Sequence, residues 1–400
     1  MIAGDQIYQA VAFLIENFEK YRGKADLLCK NHLRKFRLTK DERFFAMDLF
    51  YFYIRHRLLL CKCEQMTSLS TVEVTHQWWS ESLDSTVTQW WENLSTQEQD
   101  YWWYSVDDYW RMEVERVYTE EEAKNFYAYI HSRAPTIILV LLRRNNREKV
   151  IDYLERENVT VTSFNLPMAL QAKGRIRTSN EVFFDIQDYS SQLIALLINR
   201  HYPHLLDFCA GYAGKSVACA TLWPHLEITA SDIRDEVKPM TIERAKRAGI
   251  KLKWQNKKEL KKREFSQVLV DAPCSGSGVW RRNPEDRYRM NAKDLEKLAE
   301  KQLAILLEAG RHVAIGGELL YVTCSFTYTE NEQVIQNFLQ KTKQFKVISL
   351  AQRIQENAEY LSISGEEILQ DIRADSVPYL RIIPKNNGGD LFFAALLVRE

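Results

Sequence analysis

The spacing of apolar positions changes twice along this chain, and each change predicts a different kind of structure. In "IYQAVAFLIENFEKY", Ile7, Ala10, Val11, Leu14 and Phe18 share one helical face. "RLTKDERFFAMDLFYFYIRHRLLL" opens on Thr39 with Glu42 three residues later, a pairing of hydroxyl and carboxylate that caps a helix start. The apolar run behind it predicts one long helix. Helix continues through a tryptophan-rich stretch, and "TEEEAKNFYAYIHS" carries a second T-x-x-E start. At Pro135 the pattern turns β-like. "TIILVLL" and "VTVTSF" read as strands flanking the amphipathic helix "NREKVIDYLEREN". The second change comes at "SSQLIALLINR", a predicted helix. Beyond it, apolar strands and helices alternate, which predicts a parallel, doubly wound sheet. The pattern thus divides the chain into a helical part (1–130), a small α/β unit (131–187) and a larger α/β region (188–400).

Composition alters this picture little. The chain has 400 residues, 46% of them hydrophobic, enough for two or three cores. Its seven cysteines show no disulfide-like spacing, and Cys61 and Cys63 form a C-x-C without a second pair, so no metal site is expected. The first residues lack a basic leader, and no apolar run reaches membrane-spanning length. The expectation is a cytoplasmic protein with reduced thiols and no membrane partner.

Charge is more informative. The totals balance at 54 basic against 54 acidic residues, but the distribution is uneven. Arg22 to Lys62 holds eleven Lys/Arg and four Asp/Glu, and Lys238 to Arg263 holds eleven and two. Such stripes bind phosphates, although either alone also reads as a solvated face. Val72 to Glu122 reverses the balance, with thirteen acids and two arginines. That acidic stretch contains Trp78, Trp79, Trp90, Trp91, Trp102, Trp103 and Trp110. The acids would repel phosphate, so these tryptophans read as helix-packing residues rather than base-stacking platforms.

Candidate chemistry gathers at strand ends. In an open α/β sheet, ligands sit beyond the carboxyl ends of the strands. "HLLDF" runs into the glycine loop "CAGYAGKS", "EITAS" into Asp232, "SQVLV" into "DAPCSGSG", and "ELLYVT" into Cys324. The glycine loop is no P-loop, because Cys209 stands where that motif needs glycine. Gly211 and Gly214 would let the backbone approach a ligand, and Asp232 would accept two hydrogen bonds from a ribose diol. That suits a nucleoside cofactor without a pyrophosphate; an ordinary βα turn reads equally well. Asp271 and Cys274 project from one proline-stiffened corner and Cys324 from another. The two thiols fit either a redox pair or covalent catalysis with a helper, though C-x-x-C is absent.

These motifs resemble those of the RNA (cytosine-5)-methyltransferases of the bacterial ribosomal small-subunit methyltransferase B type, the Sun family. The resemblance lies in "DAPCSGSG", "RRNP" at Arg281 to Pro284, "TCSFTYTENE", "FDIQDYSSQLIA" and "RIIPKNNGGDLFFAALLV". It covers Val182 to Glu400, and more faintly "RFFAMDLFYFYIRHRLLL" resembles a NusB-like helical domain. The implied fold is a Rossmann-like S-adenosylmethionine methyltransferase domain, preceded by the small α/β unit and an all-helical NusB-like RNA-binding domain. The implied activity is transfer of a methyl group to C5 of a cytosine in RNA, most simply rRNA, with tRNA as an alternative, by a monomeric enzyme. Cys324 would add to C6, Asp271 would hold the base, and Cys274 would assist release. Cys209, Ala210, Gly211, Tyr212, Ala213, Gly214, Lys215, Asp232, Asn256 and Asp271 would surround the cofactor. The chain departs from the family at this loop: "CAGYAGK" replaces C-A-A-P-G-G-K, losing the proline and one glycine. Leu391 stands where the family has glycine, and Asn256 where it has aspartate. These changes raise a second reading, a catalytically weakened relative acting as an RNA-binding or assembly factor.

Overall fold

The computed structural model describes residues 6–18, 20–21, 23–177, 179, 181–261, 263–370, 372–373, 378–382 and 389–400. Arg22 and Lys262 in the basic stripes, and part of "RIIPKNNGGD", lie outside the described residues. The chain divides into two compact units.

The first unit comprises Met1–Glu115, Tyr127–Ser132 and Trp280–Asn291. Its helices include α1 (Gln6–Phe18), α2 (Ala25–His32), α3 (Lys40–Arg55) and α4 (Arg57–Met66). The expected Thr39–Glu42 capping box is present, and Ser70–Glu73 and Ser95–Glu98 form two more ahead of shorter helices. The run expected to be one long helix breaks at His56, which adopts φ −113° and ψ 23°. No glycine or proline marks the break. The His56 ring turns into the core, with Nδ1 2.8 Å from the Trp103 carbonyl oxygen, and burial lowers its pKa to about 3, so it stays neutral. The tryptophans do pack between helices: Trp78, Trp90, Trp91, Trp102 and Trp103 line the core built on Leu14, Leu49 and Phe50. Full burial of Leu14, Leu49 or Phe50 contributes roughly 1.5–3 kcal/mol each, while the tryptophans pack on them partly buried.

The segment Trp280–Asn291, which carries "RRNP", belongs to this helical unit although it lies far along the chain. Trp280 meets Trp110 edge-on with ring centres 4.9 Å apart. The Tyr288 hydroxyl donates to Ile54 O at 2.8 Å, and Ala25 N–H donates to the Glu285 carboxylate at 3.0 Å. Arg287 is buried and donates to Tyr104 O at 3.1 Å.

The second unit comprises Arg116–Phe126, Arg133–Val279 and Ala292–Glu400. Its smaller sheet is antiparallel and contains β1 (Thr136–Val140), β2 (Thr160–Ser163), β3 (Ala169–Lys173) and β4 (Phe184–Ile186), in the order β2-β3-β1-β4. The helix Arg147–Arg156 buries Val150 and Leu154 against it. The predicted helix "SSQLIALLINR" is shorter than its pattern suggests. It spans Tyr189–Leu193 and tightens into a 3-10 turn, Ile194–Leu196. The Asn357 amide from a distant helix donates to Leu196 O and Ile198 O, satisfying the carbonyls that a longer helix would have used.

The larger sheet uses β5 (His204–Asp207), β6 (Glu227–Ala230), β7 (Leu252–Trp254), β8 (Phe265–Asp271), β9 (Val313–Thr323), β10 (Phe345–Ile348), β11 (Ile372–Arg373), β12 (Tyr379–Ile382) and β13 (Phe393–Arg399). Its order is β11-β12-β13-β9-β8-β5-β6-β7, with β10 added to β13. Only β7-β6-β5-β8-β9 is parallel; every pairing of β10 to β13 is antiparallel. The expected parallel sheet is therefore mixed. The chain winds outward from β5 through β6 to β7, then returns to β8 and β9 on the other side of β5. The switch point lies between β5 and β8, and sheets of this kind take ligands beyond the carboxyl ends of the strands at such a point.

Candidate functional site

All four motif-bearing strand ends meet at this edge of the second unit. At the end of β5, Asp207 is 1% exposed and accepts a 2.6 Å hydrogen bond from Ser216 Oγ. Burial lifts its pKa to about 7, with the Ser216 bond opposing the rise. Its other oxygen, Oδ1, has no protein partner. Cys209 follows, a largely buried thiol whose pKa burial also raises. The loop turns through Gly211 at φ +50° and Ala213 at φ +57°, and the helix Gly214–Leu222 starts immediately after. Gly211 accepts the left-handed conformation without penalty. Ala213 holds it against roughly 1–2 kcal/mol of steric cost. Tyr212 projects outward, about half exposed.

At the end of β6, Asp232 closes this loop. Gly211 N–H donates to Asp232 Oδ2 at 2.9 Å. Arg234 takes the rest of the carboxylate, with its backbone N–H at 2.9 Å and Nε at 3.1 Å from Oδ1, and Nη2 at 3.2 Å from Oδ2. Burial pushes the Asp232 carboxyl up, but the bonds from Arg234 and Gly211 outweigh it and leave it below the usual carboxylate range. Ser231, just before it, has a buried hydroxyl with no partner. Asn256 lies beyond β7. Its amide oxygen already accepts from Lys258 N–H and Glu259 N–H, each at 3.0 Å. Both lone pairs of that oxygen are engaged within its own turn.

At the end of β8, Asp271 Oδ2 lies 2.5 Å from the Lys215 ammonium. Burial works against the Lys215 charge, but Asp271 and Cys324 outweigh it and raise the pKa. Cys274 Sγ lies 3.3 Å from Cys324 Sγ, which follows β9. The hydrogen bond to Cys324, then burial and the charges of Cys324 and Glu330, hold the Cys274 thiol well above its ordinary pKa. The two sulfurs are within hydrogen-bonding distance, and either thiol can be the donor. Both thiols are free of disulfide bonding and partly exposed.

Sequence reasoning passed over three residues that shape this edge. Asp207 was visible as the one acid closing an apolar strand, "HLLDF". Arg234 carried no signal, being one cation among many. Glu330 was visible only as the first residue of "ENE". The structure places its carboxylate between the two cysteine loops. Oε1 accepts from Ser275 N–H at 2.7 Å and Gln302 Nε2 at 2.9 Å. Oε2 accepts from the hydroxyls of Ser275 and Ser325, each at 2.6 Å, and of Thr327 at 3.1 Å. Among the described residues, no cluster of His, Cys, Asp and Glu is arranged to hold a metal ion, and no helix is long and apolar enough to cross a membrane.

The sheet order, the glycine loop on β5 and the acid on β6 define a Rossmann-like methyltransferase fold. Residues 194–398 match the family model described as 16S rRNA methyltransferase RsmB/F, and the chain belongs to that family. It is 32% identical over 265 residues to the probable ribosomal RNA small subunit methyltransferase B of Bacillus subtilis (strain 168), covering 62% of this chain and 56% of the relative. It is 32% identical over 169 residues to ribosomal RNA small subunit methyltransferase B of Escherichia coli O6:K15:H31 (strain 536 / UPEC), covering 40% of this chain and 39% of that one. The chain thus spans about half or less of the length of these curated relatives. The crystal structure of PH0851 shares the fold over 98% of both chains, with a TM-score of 0.75 at 20% identity. NSun6 from Pyrococcus horikoshii, solved with SFG, shares it over 73% of this chain and 98% of its own, at 0.59 and 19%.

Proposed function

We propose that this protein is an S-adenosylmethionine-dependent RNA (cytosine-5)-methyltransferase acting on small-subunit rRNA. The observation that carries the reading is the Cys274–Cys324 pair, 3.3 Å apart beside the Lys215–Asp271 ion pair, at the same sheet edge as the glycine loop and Asp232. The cofactor fits what surrounds it: a glycine turn where a Cβ on Gly211 would meet only the end of the Arg234 side chain, at 3.5 Å, an acid at the next strand end, and two orphaned buried polar atoms, Asp207 Oδ1 and Ser231 Oγ. Cys209 to Lys215 would wrap it and Asp232 would hold its ribose. The ribose would displace the half-exposed Arg234 side chain from Asp232. Any contact from Asn256 would come from its amide N–H groups. When bound, S-adenosylmethionine supplies an electrophilic methyl group.

Cytosine C5 is a weak nucleophile until a thiolate adds to C6 and turns the ring into an enamine. We assign the addition to Cys324, because its neighbour Cys274, 3.3 Å away, is the thiol whose pKa is held up and which is harder to ionise. Asp271, with Lys215, would hold the polar edge of the base. The base must leave any stack to enter. Once Cys324 is bonded to C6, its hydrogen bond and charge no longer hold the proton on Cys274. Cys274, which is partly exposed, can then give its proton to water, and its thiolate accepts the one from C5, while the electron pair left behind expels the Cys324 thiolate from C6.

The test uses two variants with small-subunit rRNA and cofactor. Cys274→Ala should form the adduct, methylate, and stall, accumulating a denaturant-resistant protein–RNA band. Cys324→Ala should lose both methyl transfer and the band. Trapping in the Cys324 variant instead would reverse the two roles, and normal turnover by Cys274→Ala would reduce Cys274 to a turn residue. Running tRNA in parallel separates the two RNA classes. The Arg234–Asp232 pairing and the altered loop favour a second reading, a non-methylating RNA-binding or assembly factor; saturable S-adenosylmethionine binding in calorimetry would rule that out.

A further inference from the structure

Glu330 is the buried charge for which the mechanism above has no use. It is fully buried, yet no cation neutralises it among its hydrogen-bond partners. Instead five donors converge on it. Three come from the Cys274 side: Ser275 N–H, Ser275 Oγ and Gln302 Nε2, the last of which also holds Pro273 O at 3.0 Å. Two come from the Cys324 side, the hydroxyls of Ser325 and Thr327. The neighbouring residues of "ENE" extend the clamp. Asn331 accepts from Thr323 Oγ1 at 2.6 Å and donates to Ser325 O at 2.9 Å, and Glu332 pairs with Arg381. Ser277 Oγ and Ser325 Oγ, 2.9 Å apart, close the ring between the two loops.

This arrangement does two things that an apolar clamp could not. It ties the Ser275 backbone, one residue from Cys274, to the loop that follows Cys324. It also fixes a negative charge beside Cys274, where a thiolate is the species it disfavours. Resting on the reading that Cys324 attacks, we propose that Glu330 is a positioning residue that gives the two thiols unequal roles: it ties their loops together and sets its charge beside Cys274. The same charge makes the Cys274 thiolate, once formed, a stronger base toward the C5 proton.

Glu330→Gln separates charge from shape. A glutamine oxygen at the Oε1 position still accepts from Ser275 N–H and Gln302. Its NH2 at the Oε2 position meets three hydroxyls, each able to rotate and accept. The experiment follows iodoacetamide alkylation of Cys274 against pH, by peptide mass spectrometry, in the full-length Cys324→Ala background. Thermal unfolding checks that each variant folds. Glu330→Gln should alkylate at Cys274 roughly tenfold faster at pH 8, with the profile moved to lower pH. Superimposable profiles in a folded variant would overturn the proposal. Gln302→Met carries the test independently, because it removes a donor and leaves the charge: Cys274 should alkylate no faster, and a faster rate would equally overturn it. Neither readout needs RNA or cofactor. A protein that fails to methylate but shows these shifts would retain the Glu330 role and lose the functional reading, and the converse result would separate them the other way.

Discussion

At the scale of single residues, Asp232 and Asp207 make opposite demands on solution conditions. Asp232 is ionised and shared between Gly211 and Arg234. Asp232→Ala should weaken S-adenosylmethionine binding about tenfold or more, since hydrogen bonds to a charged acceptor are worth roughly 1.5–3 kcal/mol. Arg234→Ala should tighten it several-fold, because the ribose no longer competes with a guanidinium. Calorimetry on both variants checks the pair; equal affinity in Asp232→Ala would remove that residue from the site. Asp207 behaves differently. Its pKa in the fold is about 7, above that of an unfolded aspartate. Its contribution is fully present below pH 4 and is lost as pH rises through 7, because the folded state binds the extra proton across that window. Asp207→Asn should therefore gain stability relative to wild type between pH 5 and 8, by up to a few kcal/mol, read as a pH-dependent rise in urea midpoint.

At the scale of elements, close backbone approach governs the cysteine corner. Gly278, the last glycine of "DAPCSGSG", donates its N–H to Cys324 O at 3.0 Å and accepts from Leu391 N–H at 3.1 Å. A Cβ there would lie 2.2 Å from Leu391 O and 3.0 Å from Cys324 O. Gly278→Ala must push the Cys274 loop off the Cys324 strand. It should lower stability by several kcal/mol and abolish methyl transfer even where the fold survives. Circular dichroism melts and single-turnover assays would show both. Helix starts are more forgiving. Thr39→Ala removes one side of a capping box on an exposed helix end and should cost about 1 kcal/mol. The strand ends and this capping box were legible in the sequence because they are local: a period of two, a glycine pair, a T-x-x-E. The break at His56 and the early stop of the helix at Leu193 were not, because each depends on a partner far along the chain, Trp103 in one case and Asn357 in the other.

At the scale of the whole molecule, the proposed function asks which basic stripe would meet RNA. In the second stripe Arg244 and Arg247 pair with Asp185, Lys251 with Glu227 and Lys257 with Glu308. Much of that stripe is therefore already matched within its own unit. Arg34, Lys35 and Arg37 of the helical unit are exposed. Replacing these three with Ala should weaken RNA binding and reduce the salt dependence of affinity, by a slope of roughly 2 for single-stranded RNA. Cofactor affinity should stay unchanged. Filter binding across a salt series tests this, and unchanged affinity in the folded triple variant would assign the stripe to solvent.

The sequence by itself determined the α/β class, the helical opening, the family, and the four strand ends at which chemistry gathers. Those are properties of short windows, where periodicity and turn residues act within a few positions. It could not determine that Asp232 is held by Arg234, that the Asn256 oxygen is engaged, or that "RRNP" lies in the helical unit. Nor could it reveal that Glu330 joins the two thiol loops. Hydrogen bonding and burial are set by neighbours in space, and a buried carboxylate looks the same in a sequence as one on the surface. Only the packed fold brings two cysteines, fifty residues apart in the chain, to 3.3 Å from one another at the site.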